Sequence, residues 1–123
     1  MSRRVAIIGA SNDRRKFGNK ALRAFRHQGY TVYPINPHAD HVEGVPAFRS
    51  VLDVPGEIDM ATMYVPPRVG AQVVGELAAK GIREVWFNPG SATRDLVDRA
   101  RGLGLEPIEA CSIIGIGEAP GAY

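Results

Sequence analysis

Short apolar runs, each closed by glycine or proline and each followed by a stretch of helical periodicity, leave this chain few ways to fold. Arg4-Val5-Ala6-Ile7-Ile8-Gly9 is a continuous apolar run rich in β-branched residues. No polar residue alternates within it, so it reads as a strand covered on both faces, as in a parallel sheet. Tyr30–Ile35, Asp59–Val65, Glu84–Phe87 and Leu105–Glu109 read as four more strands. Pro107 places the last of these at a sheet edge, because proline cannot donate to a ladder. Between them, Ala21, Leu22 and Phe25 fall at helical spacing before Gly29, and Pro66-Pro67 opens a helix lined by Val69, Val73, Val74 and Leu77 and capped by Gly81. Ala92 to Arg101 is a third helix, with Leu96, Val97 and Ala100 facing inward. Residues 37–57 read as an irregular connection with one helical turn near Ser50–Leu52. Strands alternating with helices imply right-handed βαβ units. The expected fold is α/β, a Rossmann-like three-layer sandwich with a five-stranded parallel sheet, one domain over residues 1–123.

Composition narrows the setting. A single cysteine, Cys111, excludes an intrachain disulfide and fits a reducing compartment. No apolar run approaches 18 residues and no export signal is legible, so the expectation is a soluble, cytoplasmic protein without membrane contact. Residues 1–30 hold eight Lys or Arg against one acid, Asp13, a local charge of +7 within a chain whose net charge is +2. Such a field suits a polyanion, either a phosphorylated small molecule or a nucleic acid; equally, it describes a solvated basic helix face.

In an open parallel sheet the ligand crevice lies beyond the carboxyl ends of the strands. The segments there are Gly9–Gly18, Asn36–His38, Val65–Arg68, Phe87–Ser91 and Cys111 onward. The first has the parts of a diphosphate cradle. Gly9 allows a sharp turn, Ser11 and Asn12 offer short polar groups, Lys16 a mobile charge, Gly18 close approach, and the next helix its positive end. A strand–helix turn favours such residues for its own chemistry as well. The loop is neither Gly-x-Gly-x-x-Gly, since Ser11 and Arg14 stand at the later glycine positions, nor a Walker loop. NAD enzymes place an acid at the end of the second strand. Here the chain reads Asn36-Pro37-His38, which suits a ligand carrying a ribose phosphate, although Asn-Pro also serves simply to end a strand.

These residues carry a resemblance. Gly9-Ala10-Ser11 with Lys16-Phe17-Gly18, Pro34-Ile35-Asn36-Pro37, Trp86 and Cys111, in that order and spacing, resemble the stand-alone CoA-binding domain proteins. The likeness extends to the N-terminal CoA-binding domain of the succinyl-CoA synthetase alpha subunit. It implies CoA or acyl-CoA as ligand, with Gly9, Ser11, Asn12 and Lys16 at the diphosphate and Ala10, Phe17 and Gly18 also among the binding residues. Asn36, Pro37 and His38 would hold the phosphorylated adenosine, and Val65, Pro66 and Pro67 would wall the adenine with Arg68 nearby. Asn88 and Gly90 would lie on the pantetheine path. Where many relatives have lysine after Asn-Pro, this chain has His38.

The synthetase works through a second domain with a phosphorylated histidine and a partner subunit. His27, His38 and His41 have no orienting partner in the sequence, so the expectation is binding without catalysis. Cys111 reads either as a small buried residue or as a thiol facing the CoA sulfur. Two other classes remain open at this stage. One is an NADP-dependent oxidoreductase-like binder, for which Tyr33 and Tyr64 lack a lysine at helical spacing. The other is a basic module for nucleic acid or protein partners, for which aromatics are not interleaved with the charges. Trp86 and the tail Ile113–Ile116 offer an interface for a homo-oligomer or an enzyme partner.

Overall fold

The computed structural model describes residues 2–123. The chain runs β1 (Arg4–Ile8), α1 (Phe17–His27), β2 (Thr31–Ile35), β3 (His41–Val42), β4 (Val45–Pro46), a 3-10 turn (Val51–Asp53), β5 (Met60–Met63), α2 (Pro67–Lys80), β6 (Glu84–Phe87), α3 (Arg94–Gly102), β7 (Glu106–Glu109), α4 (Ser112–Gly115) and a final 3-10 turn (Pro120–Ala122). Five strands form one parallel sheet in the order β2-β1-β5-β6-β7. This is the expected five-stranded Rossmann-like sandwich, with chain order reversing beside β1. Both edge strands contain proline, Pro34 in β2 and Pro107 in β7.

Alternation along β1 divides the core. Val5 and Ile7 pack with Ala21, Leu22 and Phe25 of α1, while Ala6 and Ile8 pack with Val74 and Leu77 of α2 and with Leu96, Val97 and Ala100 of α3. All four β1 residues from Val5 to Ile8 are buried. Burial on both faces is why that strand shows no polar alternation.

Several boundaries differ from the expectation. β5 stops at Met63 rather than Val65: Tyr64 N makes the last ladder bond, to Ile8 O, and the chain then turns away at Pro66. α3 starts at Arg94 rather than Ala92, because the Thr93 side chain caps it by accepting from Leu96 N at 3.2 Å. The helical turn expected near Ser50–Leu52 is present as Val51–Asp53, with Ser50 accepting from Leu52 N.

The connection expected to be irregular contains the β3–β4 hairpin, and its next segment lies along β2. Phe48 N donates to Pro34 O and Asn36 N donates to Phe48 O, both at 2.9 Å. This covers the open edge of β2. α4 was not expected. It seats Ile113 in the core beside α1, so that residue is unavailable to an interface, and the Trp86 ring lies against Gly115; Ile114 is exposed.

Gly9 has φ +86°, and a Cβ there would stand 2.6 Å from Tyr64 O. Gly9→Ala is therefore expected to lower stability by about 1–3 kcal/mol, the cost of one strained backbone residue. Urea unfolding checks it, and an unchanged midpoint would contradict the close approach.

Candidate functional site

The carboxyl ends of β1, β2, β5 and β6 open into a cleft of about 880 Å³, within the range of small-molecule and cofactor sites. Its first wall is the β1–α1 loop. Two amide side chains hold that loop. Asn36 Nδ2 donates to Ala10 O at 2.9 Å, and Asn19 Nδ2 donates to Ser11 O at 2.8 Å. In a trans peptide the N–H points opposite to the carbonyl. Tying back these two oxygens therefore turns the N–H groups of Ser11 and Asn12 the other way. Neither N–H has a protein partner among the described residues.

The next helix adds to this. α1 has Lys16 at its cap position, no side-chain cap and no acid in its first turn. Phe17 and Gly18 N–H groups also lack protein partners among the described residues. α3 by contrast is closed by Thr93. An uncapped helix end beside free loop N–H groups and the exposed Lys16 is an anion-binding arrangement.

Gly18 serves the loop as well as the opening. A Cβ there would collide with the carbonyl of Gly9, so the glycine lets helix and strand end meet backbone to backbone.

The floor is a buried polar network. Asn88 Nδ2 donates to Thr62 Oγ1 at 2.7 Å and to Met63 O at 2.9 Å, and its Oδ1 accepts from Ser112 N at 2.8 Å. Ser112 Oγ bonds Thr62 Oγ1 at 2.7 Å and the Tyr64 hydroxyl at 3.1 Å. Asn88, Thr62 and Ser112 are all buried, and no buried side-chain polar atom among the described residues lacks a partner. Asn88 thus joins β5, the end of β6 and the start of α4. Burial pushes the Tyr64 hydroxyl up to about 12, so it meets the cleft as a neutral hydrogen-bonding group.

Gly9, Ala10, Ser11, Lys16, Phe17, Gly18, Asn36, Pro37, Val65, Pro66, Asn88, Gly90 and Cys111 line the cleft. Cys111 is half-buried, not sealed in the core. Four residues expected at the site do not line it. Asn12 turns its side-chain amide to the hairpin and keeps only its backbone N–H for the loop, His38 is exposed beyond the strand end, and Pro67 and Arg68 belong to the first turn of α2 outside the opening. Asn36 lies at the cleft, but its amide is engaged by Ala10 O and by His38 N.

The sequence reading missed Arg49, Tyr64, Val69, Gln72, Val73 and Glu76. The helical spacing of Val69 and Val73 was visible, but it was assigned entirely to the core. Arg49 had no signal, because only the pairing of Phe48 with β2 brings it beside Asn36.

Six of the eight cations of the basic first third are engaged within the fold, three of them by carboxylates. Arg3 pairs with Glu84 at 3.1 Å, Arg14 with Glu43 at 2.9 Å and Arg15 with Asp13 at 3.0 Å. Arg4 bonds the Tyr33 hydroxyl and Pro55 O, and Arg23 reaches Tyr123 O at 3.1 Å. Of the histidines, His27 bonds Glu118 at 3.0 Å, and none lines the cleft. Among the described residues, no His, Cys, Asp or Glu group is arranged to hold a metal, and no helix is long and apolar enough to cross a membrane.

A doubly wound parallel sheet with an anion-binding loop at its reversal point defines a nucleotide-binding domain. Comparison with known proteins sharpens this. The chain belongs to the CoA binding domain family, which matches residues 3–116. It is 40% identical over 84 residues to the alpha subunit of acetate–CoA ligase [ADP-forming] II of Pyrococcus furiosus, covering 68% of this chain and 18% of that one. A conserved hypothetical protein of Pyrococcus furiosus is similar along its whole length, with 33% identity, a TM-score of 0.85, and coverage of 92% of this chain and 98% of that one. An acetyl-coenzyme A synthetase of Candidatus Korarchaeum cryptofilum, solved with phosphate and ADP, matches with 30% identity and a TM-score of 0.77, covering 86% of this chain and 25% of that one. The chain therefore spans less than a fifth of the first curated ligases it matches. Family membership supports coenzyme A as its ligand.

Two outcomes follow from the site. Asn88→Ala leaves Ser112 N and the Thr62 hydroxyl short of a partner, and should cost about 1–3 kcal/mol, read as a lowered Tm. Asp13, Glu43 and Glu118 are each held near about 2, Asp13 by Arg15, Glu43 by Arg14 and Asn19, and Glu118 by Gln28, His27 and Tyr123. Depressed carboxylates stabilise the fold above their unfolded values near 4 and release that stability as pH falls toward 2. Tm should thus drop steadily between about pH 4.5 and 2. Glu43→Gln should make the drop shallower; an identical slope would contradict the assignment.

Proposed function

We propose that the chain is a non-catalytic CoA- or acyl-CoA-binding module of the cytoplasm, a carrier or sensor that also suits presentation of CoA to an enzyme partner. The observation that carries this reading is the coincidence of an uncapped α1 terminus, the unpaired loop N–H groups and Lys16 on one wall of the cleft. The diphosphate lies there, held mainly by backbone dipoles with Lys16 as the mobile charge. Val65, Pro66, Val69 and Val73 form a continuous apolar wall for the adenine. Asn88, Gly90 and Cys111 lie along the floor toward the pantetheine end.

For the ribose phosphate the reading moves from His38 to Arg49. Arg49 lines the cleft next to Asn36, and its guanidinium has no hydrogen-bond or ion-pair partner among the described residues, whereas His38 lies outside. An arginine near the end of the second strand is the usual way for this fold to accept a ribose phosphate. The similarity to a protein of which this chain covers 98% supports a module that works at this size. The likeness to an ADP-forming ligase subunit supports an enzyme partner.

A thermal-shift panel with CoA, acetyl-CoA, dephospho-CoA, NADP and NAD tests the reading. CoA at 100 times its Kd should stabilise by about 2.7 kcal/mol. A shift with NADP and none with CoA would overturn it. Lys16→Ala should weaken every diphosphate ligand roughly tenfold, the loss of one charge-assisted contact. Arg49→Gln should weaken CoA but not dephospho-CoA, and His38→Gln should change neither.

A further inference from the structure

The β3–β4 hairpin, which packs on the β1–α1 loop, has an unusual turn. Its two central residues, Glu43 and Gly44, have φ of +50° and +77°. Glu43 is the one non-glycine residue with positive φ among those described, and turns of this type favour asparagine or glycine at that position. Glutamate is a poor choice for the turn itself. Its contacts give the reason.

The Glu43 carboxylate accepts from Arg14 Nη2 at 2.9 Å and Nε at 3.3 Å, and from Asn19 Nδ2 at 3.0 Å. Its backbone N–H donates to Asn12 Oδ1 at 3.1 Å, and its carbonyl accepts from Arg26 Nη1 at 3.2 Å. Asn12 Nδ2 completes the clamp by donating to His41 O at 2.8 Å. One turn residue thus grips the β1–α1 loop at Asn12 and Arg14 and the helix behind it at Asn19 and Arg26. The side chains of Glu43 and of these four partners all lie outside the cleft lining.

The grip reaches the site through Asn19. That side chain donates from a single nitrogen to Glu43 and to Ser11 O, while its oxygen accepts from Arg23 Nε at 2.7 Å. The carboxylate on one side and the guanidinium on the other fix which end of the amide faces the loop. That orientation turns the Ser11 carbonyl back and the Asn12 N–H out.

We propose that Glu43 is a positioning residue for the anion site. It holds the β1–α1 loop in the shape that offers its N–H groups to a diphosphate, and ligand affinity depends on it without contact. The inference rests on the CoA reading above. Strain at a non-glycine left-handed position is retained here because the side chain orders the binding loop.

The test is isothermal titration of CoA and of ADP at 25 °C into the wild-type chain, Glu43→Gln, Glu43→Gly, Asn12→Ala and the Asn12→Ala/Glu43→Gln double variant, with Tm of each measured without ligand. Glu43→Gly relieves the turn yet removes the grip. It should bind both ligands about tenfold more weakly, the scale of a lost charge-assisted hydrogen bond, while Tm changes little. Glu43→Gln, which still accepts from Asn19, should fall between. The double variant should lose no more affinity than the weaker-binding single one, since both changes release the same clamp. Affinity within twofold of wild type for Glu43→Gly and Glu43→Gln, or fully multiplicative losses in the double variant, overturns the proposal. Failure of the wild-type chain to bind CoA overturns the CoA reading itself, and that result appears in a separate arm of the titration.

Discussion

Two peptide carbonyls at the end of β1 decide what this cleft can hold. A strand that runs straight into a helix leaves its last carbonyls free to face the same opening as the helix N-terminus, where their negative ends would oppose an anion. Here Asn36 takes the Ala10 oxygen and Asn19 takes the Ser11 oxygen. With both turned away, the loop and the first turn of α1 present only N–H groups on that side. The fold supplies the helix dipole, and these two amides give the loop the same sign. The close packing of Gly9 on Tyr64 O and of Gly18 on Gly9 O then leaves no room for the loop to relax.

This division of labour explains how much was legible in the sequence. The β-branched run Val5–Ile8, the glycine after it, the helical spacing around Leu22 and Phe25, and the prolines at Pro34 and Pro107 are local signals. Each reports burial or backbone geometry at its own position, and the sheet and its flanking helices follow from them. The hairpin at His41–Pro46 is different. Its strands are two residues each and have no period to detect, and the contacts of Asn12, Arg14, Asn19 and Arg26 that hold its turn come from distant parts of the chain. Asn12 and Asn36 were recognisable as polar residues near a site, yet their direction was not. An amide that binds a ligand and an amide that binds a carbonyl look alike in sequence. Arg49 lies 13 positions beyond Asn36 and comes to the cleft only because Phe48 pairs with β2.

Charge shows the same contrast between composition and placement. The first 30 residues suggest a strongly positive surface. In the folded chain Arg3, Arg14 and Arg15 meet carboxylates, Arg4 and Arg23 meet backbone carbonyls as well as side chains, and Arg26 meets the Glu43 carbonyl. Lys20 lies over the Phe17 ring. What remains for a ligand in the cleft is Lys16 and Arg49. Paired arginines projecting in several directions give little reason for a nucleic-acid surface, which draws on a continuous stripe of unpaired cations. Two unpaired cations in one cleft with an apolar lining suit a small phosphorylated ligand better than a nucleic-acid strand.

The floor of the cleft bears on selectivity in a different way. Thr62, Asn88 and Ser112 satisfy one another and Tyr64 joins them at its hydroxyl, so this end of the site is rigid and uncharged. Such a network offers an arriving group no charge and at most one free hydroxyl, at Tyr64, so stripping an anion of water there would go largely uncompensated. The half-buried Cys111 is the soft, polarisable element beside it. Anionic groups are therefore steered to the end with Lys16 and the free N–H groups, and the uncharged part of an extended ligand to the end with Asn88 and Cys111. The direction in which such a ligand lies follows from where the protein has used up its own hydrogen bonds.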